Sequence, residues 1–148
     1  MNSKSTFINT FRIISSFFTK NIILKLIGFP IRFLYKLIIQ WIMGVDLPDS
    51  TKIGKNFVIY HGQGLVVNNQ TIIGDNVILR HNTTIGNAKA NGGCPIIANN
   101  VEVGANVVII GEITIGANSV IAAGSVVLKN VPEKVIVAGN PAKIIKEL

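Results

Sequence analysis

Between Ile53 and Asn130 the chain repeats a six-residue unit, and no other feature constrains its fold so tightly. Counted in sixes, with one two-residue slip after Leu65, the lead positions are Ile53, Ile59, Leu65, Ile73, Leu79, Ile85, Ile97, Val103, Ile109, Ile115, Ile121 and Val127. All are Ile, Leu or Val. Three residues beyond each lead stand Asn56, Gly62, Asn68, Asn76, Asn82, Ala88, Asn100, Asn106, Glu112, Asn118, Gly124 and Asn130. Ten of these twelve are Asn or Gly, which tolerate positive φ, so each short strand is expected to end in a sharp corner. Short strands with inward branched residues, joined by corners at a fixed period, read as a parallel β-helix.

The position four after the lead is often Val, Thr or Ser, as at Val77, Thr83, Val101, Val107, Ser119, Ser125 and Val131, which suits a half-buried pleated face. Three hexapeptides make one triangular coil, so residues eighteen apart stack at one strand spacing, about 4.8 Å. Four coils follow, over 53–72, 73–90, 97–114 and 115–132. The expected architecture is all-β: an N-terminal amphipathic helical segment over 1–45, a β-helix over 46–132, and a C-terminal tail over 133–148.

Charge is segregated along the chain. Residues 1–45 carry Lys4, Arg12, Lys20, Lys25, Arg32 and Lys36 with no Asp or Glu, whereas the remainder holds eight basic and seven acidic side chains. The repeats therefore have neither a basic stripe nor interleaved aromatics, and nucleic acid is not an expected partner. The first segment is strongly apolar but meets a cation every few residues, so it cannot span a bilayer. It reads as amphipathic helices broken near Gly28 and Pro30, suited either to an anionic membrane surface or to capping the β-helix. It lacks the small-residue cleavage site of a secretory signal. The lone Cys94 forms no internal disulfide, which is compatible with a cytoplasmic location, peripheral at the inner face of a membrane if the first segment binds there.

Both histidines lie in the repeats. His61 and His81 are twenty residues apart, one coil plus the slip, which places them on one face in adjacent coils. They are either a site or two polar corner residues. No third histidine, patterned cysteine or carboxylate completes a ligand set, so no metal is expected.

The runs GVDLPDSTKIG, YHGQGLVV, GANVVIIGEITIGANSVIAAGSVV and VPEKVIVAGNPAKII resemble the serine acetyltransferase branch of the hexapeptide-repeat acyltransferases, from about Gly44 to the C-terminus. The resemblance implies left-handed coils, contrary to the usual crossover rule. It also implies a homotrimer with active sites between subunits, and direct acetyl transfer from acetyl-CoA. In that branch an Asp fifteen residues before a His forms a catalytic dyad, and the matching positions are Asp46 and His61. His61 would act as general base toward an acceptor hydroxyl while Asp46 orients its imidazole; an ordinary turn residue is the plainer reading of Asp46. By the same resemblance Ala105 and Ala123 flank the pantetheine arm, with Gly111, Gly124 and Lys129 beside them. Lys129 and Lys143 would serve the nucleotide phosphates. Repeat geometry alone also accounts for Gly111 and Gly124, and a solvated tail for Lys143.

The departures bear on the acceptor. Serine acetyltransferases place an acid immediately before the catalytic His and an Arg-His pair ahead of the Pro in the following glycine-rich loop. This chain has Tyr60 and Gly93-Cys94-Pro95 there. A free amino acid would lose its ionic partners, at high desolvation cost. The runs YHGQGLVVN and LRHNTTIGN resemble instead the shorter acetyltransferases of capsule, exopolysaccharide and colanic-acid-type clusters. A sugar hydroxyl, lipid-linked in some systems, is the implied acceptor, with Tyr60 and His81 on the acceptor side. Serine O-acetylation and a non-catalytic β-helix scaffold are the rival readings.

Overall fold

In the computed structural model, which describes residues 3–148, every lead residue from Ile59 to Val127 is buried in one continuous apolar column, with Ile53 partly buried beside it. Three helices come first: α1 (Ser3–Phe17), α2 (Ile22–Ile27) and α3 (Phe29–Tyr35), the last running into a π-helical stretch over Lys36–Ile42. The strands follow as β1 (Val45–Asp46), β2 (Lys52–Ile53), β3 (Val58–Tyr60), β4 (Leu65–Val67), β5 (Ile72–Ile73), β6 (Ile78–Arg80) and β7 (Thr84–Gly86). After a loop come β8 (Ile96–Ile97), β9 (Glu102–Val103), β10 (Val108–Ile110), β11 (Thr114–Ile115), β12 (Val120–Ile121), β13 (Val126–Val127), β14 (Val135–Gly139) and β15 (Ala142–Glu147).

They stack as three walls of a prism. One wall is β1-β4-β7-β10-β13, the second β2-β5-β8-β11, and the third β3-β6-β9-β12-β14 with β15 added antiparallel. The solenoid makes about five turns, where the hexapeptide count gives four. β1 opens an extra turn, pairing Val45 with Leu65, and β14 closes one, pairing Val137 with Ile121. Neither shows in the hexapeptide count, because β1 runs into Pro48 and β14 follows β12 after sixteen residues rather than eighteen.

Coil length also varies. A spacing of eighteen holds for Val103 with Ile121 and for Ile97 with Ile115, whereas Ile85 pairs with Ile109 and Ile73 with Ile97, twenty-four apart. The extra six residues lie in the loop over 87–95.

Two of the three corners use the left-handed backbone that the sequence predicts. Asn56, Asn76, Asn100 and Asn118 adopt it between the second and third walls, and Gly62, Asn82, Asn106 and Gly124 between the third and first. Stacked amides reinforce the first set: Asn56 donates to Asn76 (2.9 Å), Asn76 to Asn100 (2.8 Å) and Asn100 to Asn118 (3.0 Å). At the remaining corner, Asn68, Ala88, Glu112 and Asn130 are not left-handed. Asn68 there accepts from the Gln70 N–H as a turn acceptor, and Asn130 accepts from the Thr114 N–H of the preceding coil.

A solenoid leaves open sheet edges at both ends, and unpaired edges are liabilities. β15 folds back over the C-terminal end. At the other end α1 covers β3, turning Ser5, Ile8, Arg12 and Ser15 inward. The Ile59 N–H donates to Ser5 Oγ (2.9 Å), and Asn9 Nδ2 to the Phe57 carbonyl (2.6 Å). Asp49 fastens the cap by accepting from Ser15 Oγ (2.6 Å) and Arg32 Nε (2.9 Å). Burial opposes the Asp49 charge, but these bonds outweigh it and hold the carboxyl below its ordinary pKa. Tyr35 donates from its hydroxyl to the Leu47 carbonyl (2.6 Å), and burial raises the phenol far above its usual value, keeping it a donor.

Candidate active site

The corner between the third and first walls carries both imidazoles. Tyr60 pairs with Arg80 across β3 and β6, so the next residues, His61 and His81, stack in adjacent coils. Their ring centroids lie 5.6 Å apart with planes at 83°. His61 takes a left-handed backbone (φ 66°), and its carbonyl accepts from the Lys4 ammonium of α1. The His81 carbonyl accepts from the Asn106 N–H (3.1 Å), while its Nδ1 is buried without a hydrogen-bond partner.

Both rings open into a cleft of about 400 Å³ whose other walls are Arg80, Glu102, Gly104, Ala105, Val120, Ile121, Ala122 and Ala123. The coils meet closely here. A Cβ on Gly104 would lie 2.5 Å from the Ala123 nitrogen and 2.7 Å from its Cα, so glycine is required. The Gly124 N–H donates to the Ala105 carbonyl (2.8 Å), fixing the small-residue wall. The Arg80 guanidinium, also lining the cleft, lies over the Tyr60 ring (5.3 Å to the centroid) and pairs with Glu102 (2.5 Å).

The remaining predicted residues stand elsewhere. Lys129 and Lys143 together line a depression of about 300 Å³ with Leu128, Pro132 and Pro141 near the C-terminal end. Gly111 (φ 107°) follows β10 and donates to the Gly86 carbonyl, outside the histidine cleft. Asp46 lies exposed on β1, lining one depression with Arg32 and Tyr35 and another with Val66 and Asn68. Among the described residues its carboxylate makes no hydrogen bond or ion pair, although its backbone pairs with β4, and it does not line the cleft that holds His61. Partial burial shifts the Cys94 thiol pKa upward, the direction opposite to that of an activated nucleophile.

Residues 94–129 match the family model described as bacterial transferase hexapeptide (six repeats). The protein provisionally named as the colanic acid biosynthesis acetyltransferase WcaB of Escherichia coli K12 is 42% identical over 126 residues, 84% of this chain and 78% of the relative. The chain belongs to the bacterial hexapeptide-repeat transferases. Serine acetyltransferase 4 of Arabidopsis thaliana is another relative of this hexapeptide-repeat transferase, 42% identical over 106 residues, 70% of this chain but 30% of the plant protein.

Among solved structures, the hexapeptide-repeat transferase superposes on serine acetyltransferase from Brucella abortus with a TM-score of 0.83 at 33% identity, covering 99% of this chain and 58% of that one. The coenzyme A complex from the same organism gives 0.80 at 34%, covering 93% and 54%. The chain thus spans a little over half the length of these structures. Their left-handed β-helix is its own, and its relatives' names make it an acyltransferase.

Sequence reasoning about this transferase missed Arg80 and Glu102. Arg80 was within reach, because it precedes His81 as Tyr60 precedes His61. Glu102 was not: it reaches Arg80 across β6 and β9, where Ile78 pairs with Glu102 only because that coil is six residues longer.

Proposed function

We propose that this chain transfers the acetyl group of acetyl-CoA to a sugar hydroxyl in the biosynthesis of a capsule or exopolysaccharide. The observation that carries this reading is the charge balance of the histidine cleft, where Arg80, stacked over the Tyr60 ring, is already neutralised by Glu102. That surface suits a neutral, hydroxyl-bearing ring and leaves no free ion for the carboxylate and ammonium of an amino acid. The WcaB relative, named for acetyl transfer in colanic acid biosynthesis, supports the same acceptor class.

In this mechanism His61 takes the proton of the acceptor hydroxyl as its oxygen attacks the thioester carbonyl carbon. The C–S bond then breaks, and the departing thiolate receives the proton from the imidazolium. Asp46 is the proposed orienting carboxylate, and no hydrogen bond or ion pair among the described residues competes for it. Ala105, Ala122, Ala123 and Gly124 give a wall low enough for a thin pantetheine arm, and Lys129 with Lys143 supplies positive charge for phosphates. A homotrimer would cover the second wall, where the paired Ile72 and Ile96 are both exposed.

Serine O-acetylation is the second reading, favoured by the superposition on the Brucella enzyme. Thiol release from acetyl-CoA, measured with L-serine and with a panel of nucleotide sugars and oligosaccharides, decides between them. Saccharide-dependent release is expected. Release that responds to L-serine and to no saccharide overturns the proposal.

A further inference from the structure

α1 buries a largely polar face, α3 and the π-helical stretch bury Tyr35 and Ile39, and the N-terminal helices together leave an apolar surface bare. On α1 the inward residues are Ser5, Ile8, Arg12 and Ser15, whereas Phe7, Ile14 and Phe17 are about half exposed. α2 buries nothing, and its Ile22, Ile23, Leu26 and Ile27 are 65–72% exposed. Phe29, Trp41 and Ile42 continue the surface at 66–71%. A water-facing helix shows the reverse arrangement, so this surface is built to be covered. Stacking of Phe29 on Phe33 (6.2 Å) and the pairing of Phe17 with Phe18 (5.4 Å) extend its aromatic character.

Charge selects the cover. Of the cations in this segment, Arg12 is buried with its guanidinium donating to the Thr51 carbonyl, and Arg32 is paired with Asp49. Lys20, Lys25 and Lys36 remain exposed, with no acid anywhere in residues 1–45; Lys36 shares a depression with Asp46 and Asp49, of which Asp49 is already paired with Arg32. Two of them sit at exposed rings: the Lys20 ammonium lies 5.1 Å from the Phe17 centroid and that of Lys36 6.0 Å from Trp41. A second copy of the same surface would bring like charges together, which is unfavourable. An anionic bilayer satisfies both features, taking lysines at its headgroups and aromatic and branched side chains at the acyl boundary. Among the described residues no helix is long and apolar enough to cross that bilayer.

We propose that α1, α2, α3 and the π-helical stretch seat the protein on the surface of an anionic lipid bilayer, with Lys20, Lys25 and Lys36 at the headgroups and Leu26, Phe29 and Trp41 below them. This stands apart from the choice of acceptor.

The test is co-sedimentation of the full chain with vesicles of phosphatidylglycerol and phosphatidylcholine, and with phosphatidylcholine alone. Binding is expected to the anionic vesicles and to weaken at high salt. Neutralising Lys20, Lys25 and Lys36 together to Gln should lower the partition coefficient on the order of 100-fold. None of the three is buried, so thermal unfolding should be unchanged. Protein left in the supernatant with anionic vesicles at low salt overturns the proposal, as does undiminished binding by the triple variant. Light scattering of Leu26→Asp provides a further check. If that change reduces the oligomer while neither protein binds vesicles, a second copy covers this face and the membrane seat is wrong.

Discussion

His61 and His81 meet edge to face at 5.6 Å although twenty residues part them, because one coil of the solenoid returns the chain to the same corner. The pairing gives the cleft two imidazoles with different surroundings. His61 lies next to the cap through its carbonyl, and His81 has a buried, unpartnered Nδ1.

If His61 is the general base, His61→Ala lowers kcat by roughly 10² to 10⁴-fold with little change in acetyl-CoA affinity. Steady-state turnover, with coenzyme binding by calorimetry, measures both. Near-normal turnover removes His61 from the chemistry.

His81→Ala is expected to raise the acceptor KM more than the acetyl-CoA KM, because its ring lies beside His61 in the cleft. Initial rates over a grid of both substrates resolve the two constants. A change confined to acetyl-CoA would place His81 on the coenzyme side.

Asn100 combines a left-handed backbone (φ 58°) with the middle of the amide ladder. Asn100→Ala should cost about 2–3 kcal/mol, the sum of backbone strain and two exposed hydrogen bonds. Asn100→Gly, free of the strain, should cost less. Equal losses in denaturant unfolding would show that the corner conformation contributes nothing.

The Asp49 cluster predicts acid-sensitive docking of the cap. Its folded pKa lies below the ordinary carboxylate value of about 3.9, so the unfolded chain binds the proton more readily. The linked stability is therefore complete above about pH 4 and is lost as pH falls through the depressed folded value. Asp49→Asn should remove it at neutral pH, lowering stability by about 1–2 kcal/mol because Arg32 remains a third exposed. Thermal unfolding of both proteins from pH 7 to pH 3 checks this: their difference should shrink on acidification, and a constant gap would count against the assignment.

The sequence by itself determined the β-helix, its inward residues and eight of its left-handed corners. Each depends on a pattern repeated within six residues, from Ile59 and Gly62 to Ile121 and Gly124, and burial together with local backbone preference is enough to select it. It also placed His61 beside His81, since one coil and a known slip separate them. Only the tertiary structure decided that Glu102 reaches Arg80, because stacking depends on the total length of a coil and the 87–95 loop adds six residues that carry no periodic signal. The same limit applies to Asp46, whose fifteen-residue spacing from His61 does not fix the distance between their side chains. The N-terminal segment shows the largest difference. Its composition reads as amphipathic helices, but which side turns inward was set by the open edge of β3, whose backbone groups need polar partners such as Ser5 and Asn9. Satisfying that edge turned polar side chains toward the solenoid and left Phe7, Leu26 and Trp41 facing outward.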